Sequence, residues 1–219
     1  MGWSWFPVQL SFFVAFVATI ITAVIAIIAA YFLVANKRKL NVVMETIFFL
    51  PLVLPPTVIG FMLIVVFGKN SPIGRAMEWI FGQSLLFTAT AAIIAAVVVA
   101  FPLLYQTVKT GFTSLDDNVL GAAKVDGASE WKLLLFIMLP LSIRSITAGL
   151  VLGFTRAFGE FGATLMFAGN IPGKTQTIPT AIYIAIESGQ TAVAWYYALI
   201  SVTVSFLLLF IINQLKVDR

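Results

Sequence analysis

The sequence predicts an all-α fold, a polytopic membrane bundle of about five transmembrane helices, and three observations predict it. Of 219 residues, 61% are hydrophobic and 10% are charged, against about 25% charged in a soluble domain. The mean hydropathy is +1.05. The apolar residues gather in runs at about 9–35, 42–67, 84–108, 145–168 and 191–215, each near or above the ~20 residues a helix needs to cross a bilayer. None of these runs alternates as a barrel strand must, so backbone hydrogen bonding in lipid makes them helices. The chain reads as a single transmembrane domain over 1–219.

Composition also excludes chemistry. With no Cys and no His, disulfides, Cys/His zinc sites, thiol nucleophiles and Ser-His-Asp triads are absent. The net charge of +4 is read through topology, not as a nucleic-acid surface. No metal site and no catalytic residue is expected.

Met1–Val8 lacks Lys and Arg, and the run behind it exceeds a signal peptide's apolar core, so the first span is expected to be retained. It carries Thr19, Thr22 and many Ala, and reads as a peripheral packing helix. The second span contains LPLVLPPTVIG, with Pro51, Pro55 and Pro56. Each removes a helix hydrogen bond, so a broken helix is expected, inside the bundle or along a wet path. Gly68–Ser84 reads as an outer loop with a short interfacial helix anchored by Trp79; Trp3, Trp5 and Trp195 fall near the same interface. The Ala-rich third span permits close helix approach, and Pro102 fits a bend near its inner end.

The segment of about 109–144 connects spans three and four. Thr113–Gly127 reads as one short helix, capped by Ser114 with Asp117 three residues on. Val119, Ala122 and Ala123 then share a face, and Gly127 suits the left-handed position that ends a helix. A second helix starts at Ser129 and runs to Pro140. In the fourth span Gly149, Gly153, Arg156 and Glu160 are expected on one helical stripe. A lone charge at mid-membrane costs at least ~2.5–3.5 kcal/mol, so Arg156 and Glu160, spaced i, i+4, pair. They either fix packing or line a path where Arg156 offers positive potential to an anion.

Lys and Arg set the orientation. With the N-terminus outside, Lys37, Arg38, Lys39, Lys109, Lys124, Lys132, Arg144, Lys216 and Arg219 lie inside, and Lys69, Arg75 and Lys174 outside. This asymmetry predicts N-out, C-in, with 109–144 in the cytoplasm. Ala168–Thr175 (AGNIPGKT) fits a loosened phosphate-loop pattern, but no strand precedes it, Pro172 removes an amide, and it lies outside. Nucleotide binding there is rejected.

GAAKVDGASEWKLLLFIMLP (121–140) resembles the EAA loop of ABC importer permeases, with Ala122, Ala123, Gly127, Leu139 and Pro140 matching and Gly121 in place of the leading Glu. FTRAFGEFGAT, which holds Gly162, resembles a stretch of molybdate and sulfate permeases. NIPGKTQTIPTAIY (170–183) is similar to a loop of molybdate permeases. The resemblance covers nearly the whole chain and implies a type I ABC importer permease in the prokaryotic plasma (inner) membrane. It implies no enzyme and no cofactor on this chain. ATP and Mg would sit at two cytoplasmic ATPase subunits, a second copy would complete the pathway, and an extracytoplasmic molybdate-binding protein would deliver the anion. The loop that meets the ATPase would comprise Gly121, Ala122, Ala123, Asp126, Gly127, Ala128, Glu130, Leu139 and Pro140, with Asp126 or Glu130 standing in for the absent Glu. Asn170, Pro172, Gly173, Thr175 and Thr177 would shape the outer mouth, where Thr175, Thr177 and Thr180 offer neutral donors to an oxyanion. Sulfate, thiosulfate or tungstate is the alternative cargo, and a stand-alone secondary transporter the more remote alternative.

Overall fold

The computed structural model describes residues 3–35 and 40–217, which form helices joined by turns and short loops, with no strand among them. Lys37, Arg38, Lys39 and Arg219 lie outside the described residues. The elements are α1 (Phe6–Ala35), α2 (Leu40–Val53), α3 (Pro56–Phe67), α4 (Pro72–Phe81), α5 (Ala89–Thr113), α6 (Asp117–Val125) and α7 (Glu130–Leu133). A π-turn (Leu134–Met138) leads into α8 (Leu139–Leu141), followed by α9 (Ile143–Phe158), α10 (Gly162–Phe167), α11 (Ile178–Glu187) and α12 (Thr191–Val217).

Among the described residues three helices are long and apolar enough to cross a membrane: Phe6–Val34, Ala89–Thr113 and Thr191–Ile211. Two bent pairs raise this to five, Asn41–Val53 with Pro56–Phe67 at 117°, and Glu130–Leu141 with Ile143–Phe158 at 77°. The break expected in the second span is thus present. The fourth span differs from expectation. Its helix stops at Phe158 and restarts at Gly162, so 145–168 is not one rod.

The core is built on α5. Thr88 caps it by accepting from the Ala91 amide at 3.2 Å. Its Ala91, Ala92, Ala95, Ala96 and Ala100 are fully buried, and so are Ala15, Ala18, Ala26 and Ala30 of α1. Small side chains let these two helices pack along each other, and α9 lies against both. The first span is therefore central and not peripheral; its exposed face carries Phe12, Phe13, Phe16 and Ile20. Gly149 and Gly153 of α9 meet α5 as the small-residue stripe requires: a Cβ at Gly149 would strike Thr107, and one at Gly153 would sit 3.1 Å from Leu104.

At one end of the bundle Trp3 stacks on Tyr197 with ring centroids 4.6 Å apart, and the Tyr197 hydroxyl donates to the Ser4 carbonyl at 2.7 Å. The amphipathic α4 is capped by Ser71, which accepts from the Gly74 amide at 2.7 Å, and ended by Gly82 at φ +67. Trp79 on it is 87% exposed.

Candidate functional site: the broken helices and the 114–142 connection

The two breaks face each other. α3 begins at Pro56, with Pro55 in extended conformation before it. Pro51 is half-buried inside α2, whereas Pro55 and Pro56 are exposed. α10 packs against α3 at two glycine contacts. A Cβ on Gly162 would lie 2.8 Å from Pro56 Cβ, and one on Gly60 would lie 2.6 Å from Met166 Cβ.

Glu160 does not extend the α9 stripe. It sits in the gap before α10, because α9 ends at Phe158. Its carboxylate is divided between two partners. Oε2 accepts from Arg156 Nη1 at 2.7 Å, and Oε1 accepts from the Ala163 amide at 2.8 Å. Glu160 is 3% exposed. Interrupting a helix in an apolar core strands backbone amides. Here one carboxylate caps the restart, and the guanidinium neutralises the cap. Arg156 also borders an open cavity of about 330 Å³ with Leu103, Leu152, Thr155 and Gly159. One ion pair therefore joins the cap of α10 to a guanidinium that borders that cavity.

The connection after α5 departs from the expected single helix. Ser114 does not cap it; its hydroxyl donates back to the Gly111 carbonyl at 2.8 Å. A turn follows, and Asp116 caps α6 by accepting from the Asn118 amide at 2.8 Å. Asp is the better acceptor at a helix start, and it adds charge to the positive end. α6 buries none of its residues. Ala122 is exposed and Ala123 half-buried. Gly121 faces open space, where a Cβ would meet nothing within 4 Å. Asp126 is the exposed residue at the helix end, and Gly127 follows at φ +81. The Ala128 amide then donates to the Ala123 carbonyl at 3.0 Å and closes the end. Leu139 is half-buried and Pro140 exposed, beyond the π-turn.

Beneath α6 lies a cavity of about 500 Å³ lined by Tyr31, Phe112, Asp117, Gly121, Lys124, Glu130 and neighbours. Tyr31 of α1 donates its hydroxyl to the Glu130 carboxylate, and Lys124 Nζ stands 3.5 Å from the other oxygen. The Tyr31 hydrogen bond, and then the Lys124 charge, hold the Glu130 carboxyl below its ordinary range. A second polar cluster joins α2 to α5: Glu45 accepts from Lys109 Nζ at 2.5 Å and from the buried Tyr105 hydroxyl at 3.1 Å. The sequence reading missed Tyr31, Glu45 and Tyr105. A lone Glu in an apolar span was a readable signal for Glu45; nothing marked Tyr31.

The loop after α10 uses its threonines on itself. Ile171 accepts from the amides of Lys174, Thr175 and Gln176 at 3.0, 2.9 and 3.2 Å, so these amides are unavailable to a phosphate. Buried Thr175 accepts from the Ile171 amide at 2.9 Å. Thr180 accepts from the Thr177 amide at 2.8 Å. The Thr175 and Thr180 hydroxyls thus hold the loop's own backbone. Asn170 is half-buried, while Pro172 and Gly173 are exposed, with Gly173 at φ +72. Ser11 of α1 caps α11, accepting from the Ile178 amide at 2.8 Å. Among the described residues no group of three His, Cys, Asp or Glu could hold a metal.

A bundle of broken apolar helices, with ion pairs inside it and an exposed helix between spans, is the architecture of a multi-pass membrane protein. The chain belongs to the binding-protein-dependent transport system inner membrane components, whose family model matches residues 5–216. YvgM of Bacillus subtilis (strain 168) is 54% identical over 96% of this chain and 92% of its own. The molybdenum transport system permease protein ModB of Haemophilus influenzae is 40% identical over 92% of this chain and 90% of its own. ModB of Escherichia coli (strain K12) is 36% identical over 94% and 91%. The fold is that of ABC importer permeases. A bacterial alginate ABC transporter matches at TM-score 0.75 and 16% identity, covering 96% of this chain and 77% of that one. The MetNI methionine ABC transporter matches at 0.71 and 15%, covering 97% and 94%. The chain is thus a multi-pass plasma-membrane transport subunit and not an enzyme.

Proposed function

We propose that the chain is the membrane subunit of a molybdate ABC importer. One observation carries the cargo: proteins named as molybdenum transport permeases are 40% and 36% identical to it across more than nine-tenths of its length. A sulfate transport permease protein of Zygnema circumcarinatum, named as probable, is 29% identical, which makes sulfate the competing cargo. In this reading two copies form the pathway in an N-out, C-in orientation, and an extracytoplasmic binding protein delivers the anion. Two ATPase subunits, which hold ATP and Mg, meet the exposed helix α6 and Gly121–Pro140. Closure of the ATPase pair draws the two α6 helices together and opens the bundle outward; hydrolysis reverses this. The Arg156–Glu160 pair keeps the α9–α10 break in register, and Arg156 offers the anion a partly neutralised cation. A net-neutral pair binds a dianion weakly, and transport requires release.

Proteoliposomes with the cognate ATPase and binding protein test the reading. Labelled molybdate is expected to accumulate with ATP and to outcompete sulfate; preference for sulfate refutes the cargo. Gly127→Asp puts a side chain at φ +81, a strain of about 1 kcal/mol. It is expected to lower ATP-driven uptake while the chain stays inserted, and unchanged uptake would count against coupling through this loop.

A further inference from the structure

α6 has little to hold it. It buries no residue, Val125 at its end is 88% exposed, a cavity of about 500 Å³ lies between part of it and the bundle, and its apolar hold is the half-buried Leu120 and Ala123 against the core cluster. A nine-residue helix is too short to persist in water on its own, so something must fix its stance. The candidate at its C-terminal end is the Lys124–Glu130 pair. At 3.5 Å, with both side chains more than half exposed, such a pair contributes little. Glu130, however, has a second partner of a different kind. Tyr31 is almost wholly buried, packed in a core cluster with Phe112, Leu133, Leu134 and Met138. Its hydroxyl reaches the Glu130 carboxylate and also stands 3.4 Å from the Glu130 carbonyl. A fixed phenol thus pins the carboxylate to which the mobile ammonium of Lys124 is drawn. Asp117, the other acid lining the cavity, is in the first turn of α6.

We infer that Glu130 is the positioning residue of this permease: pinned by Tyr31, it ties α6 to α1 and sets where the exposed helix stands. α1 also caps α11 through Ser11 at its other end. Movement of α6 is therefore delivered to the helix that runs the length of the bundle. The transport consequence rests on the reading that α6 meets the ATPase.

The chain has no cysteine, so a spin label at Val125→Cys reports on α6 alone, with Ile186→Cys in α11 as control. In the lipid-reconstituted permease, Tyr31→Phe and Glu130→Gln are each expected to raise label mobility at 125 and not at 186. The double variant is expected to add nothing further, because both act through one contact. With the cognate ATPase bound, molybdate moved per ATP is expected to fall roughly fivefold, the factor that about 1 kcal/mol makes. Unchanged mobility at 125 in both variants overturns the tie. So do additive effects, or mobility that rises equally at 186. Raised mobility at 125 with normal transport per ATP upholds the tie and refutes the coupling role of α6.

Discussion

The two broken spans reach the same shape by opposite chemistry. Between α2 and α3 the chain removes donors: Pro55 and Pro56 carry no amide hydrogen, and the Pro55 carbonyl accepts from Val58 at 2.9 Å to start the new helix. Between α9 and α10 it adds an acceptor, the Glu160 carboxylate on the Ala163 amide. The first device is neutral and needs only covalent geometry. The second buries a charge and so needs Arg156. The restarting helices α3 and α10 then lie together through Gly60 and Gly162. The contrast teaches that a break in lipid can be written in the backbone or in a side chain, and that only the second kind depends on a partner elsewhere.

Glu160→Ala tests that dependence most severely. It leaves Arg156 without its counter-charge and the Ala163 amide uncapped, and is expected to cost about 3 kcal/mol, read as a lower unfolding temperature in detergent. Arg156→Leu combined with Glu160→Gln is expected to recover most of this, since the amide oxygen still accepts from Ala163. A neutral Glu160→Ala would mean that the second break, like the first, holds without charge. Gly60→Leu comes next: its Cβ alone would approach Met166 Cβ to 2.6 Å, and overpacking of this kind costs about 1–3 kcal/mol. Pro56→Ala is expected to have the smallest effect, under about 1 kcal/mol, because Pro at the first helical position acts mainly on the unfolded chain. A larger loss would show that the missing amide itself stabilises the first break.

The same contrast explains what the sequence made legible. Pro55 and Pro56 announce their break because proline acts on its own backbone, whereas Pro51, expected to break the span with them, lies inside a continuous α2. Arg156 and Glu160 announce a pair by spacing, but i, i+4 is equally consistent with an unbroken helix. Only the direction of the Glu160 carboxylate distinguishes the two. The Gly149–Gly153 stripe and the Gly127 helix end were readable for the proline's reason, that a missing or fixed group acts locally. The role of α1 was hidden. Ser11 and Tyr31 are ordinary residues in an apolar run, and their partners lie 167 and 99 residues away. The Ser114 cap failed through local competition, since Asp116 offers a charged acceptor two residues later.

The pairing of Ser4 and Trp3 with Tyr197 has a consequence for synthesis. These contacts join residues 193 and 194 positions apart, so α1 waits for α12 during synthesis. Until α12 is inserted, Trp3 lacks the ring it stacks on and the Ser4 carbonyl lacks its hydroxyl donor. Truncation before Tyr197 therefore leaves α1 to α11 with an open seam at that end.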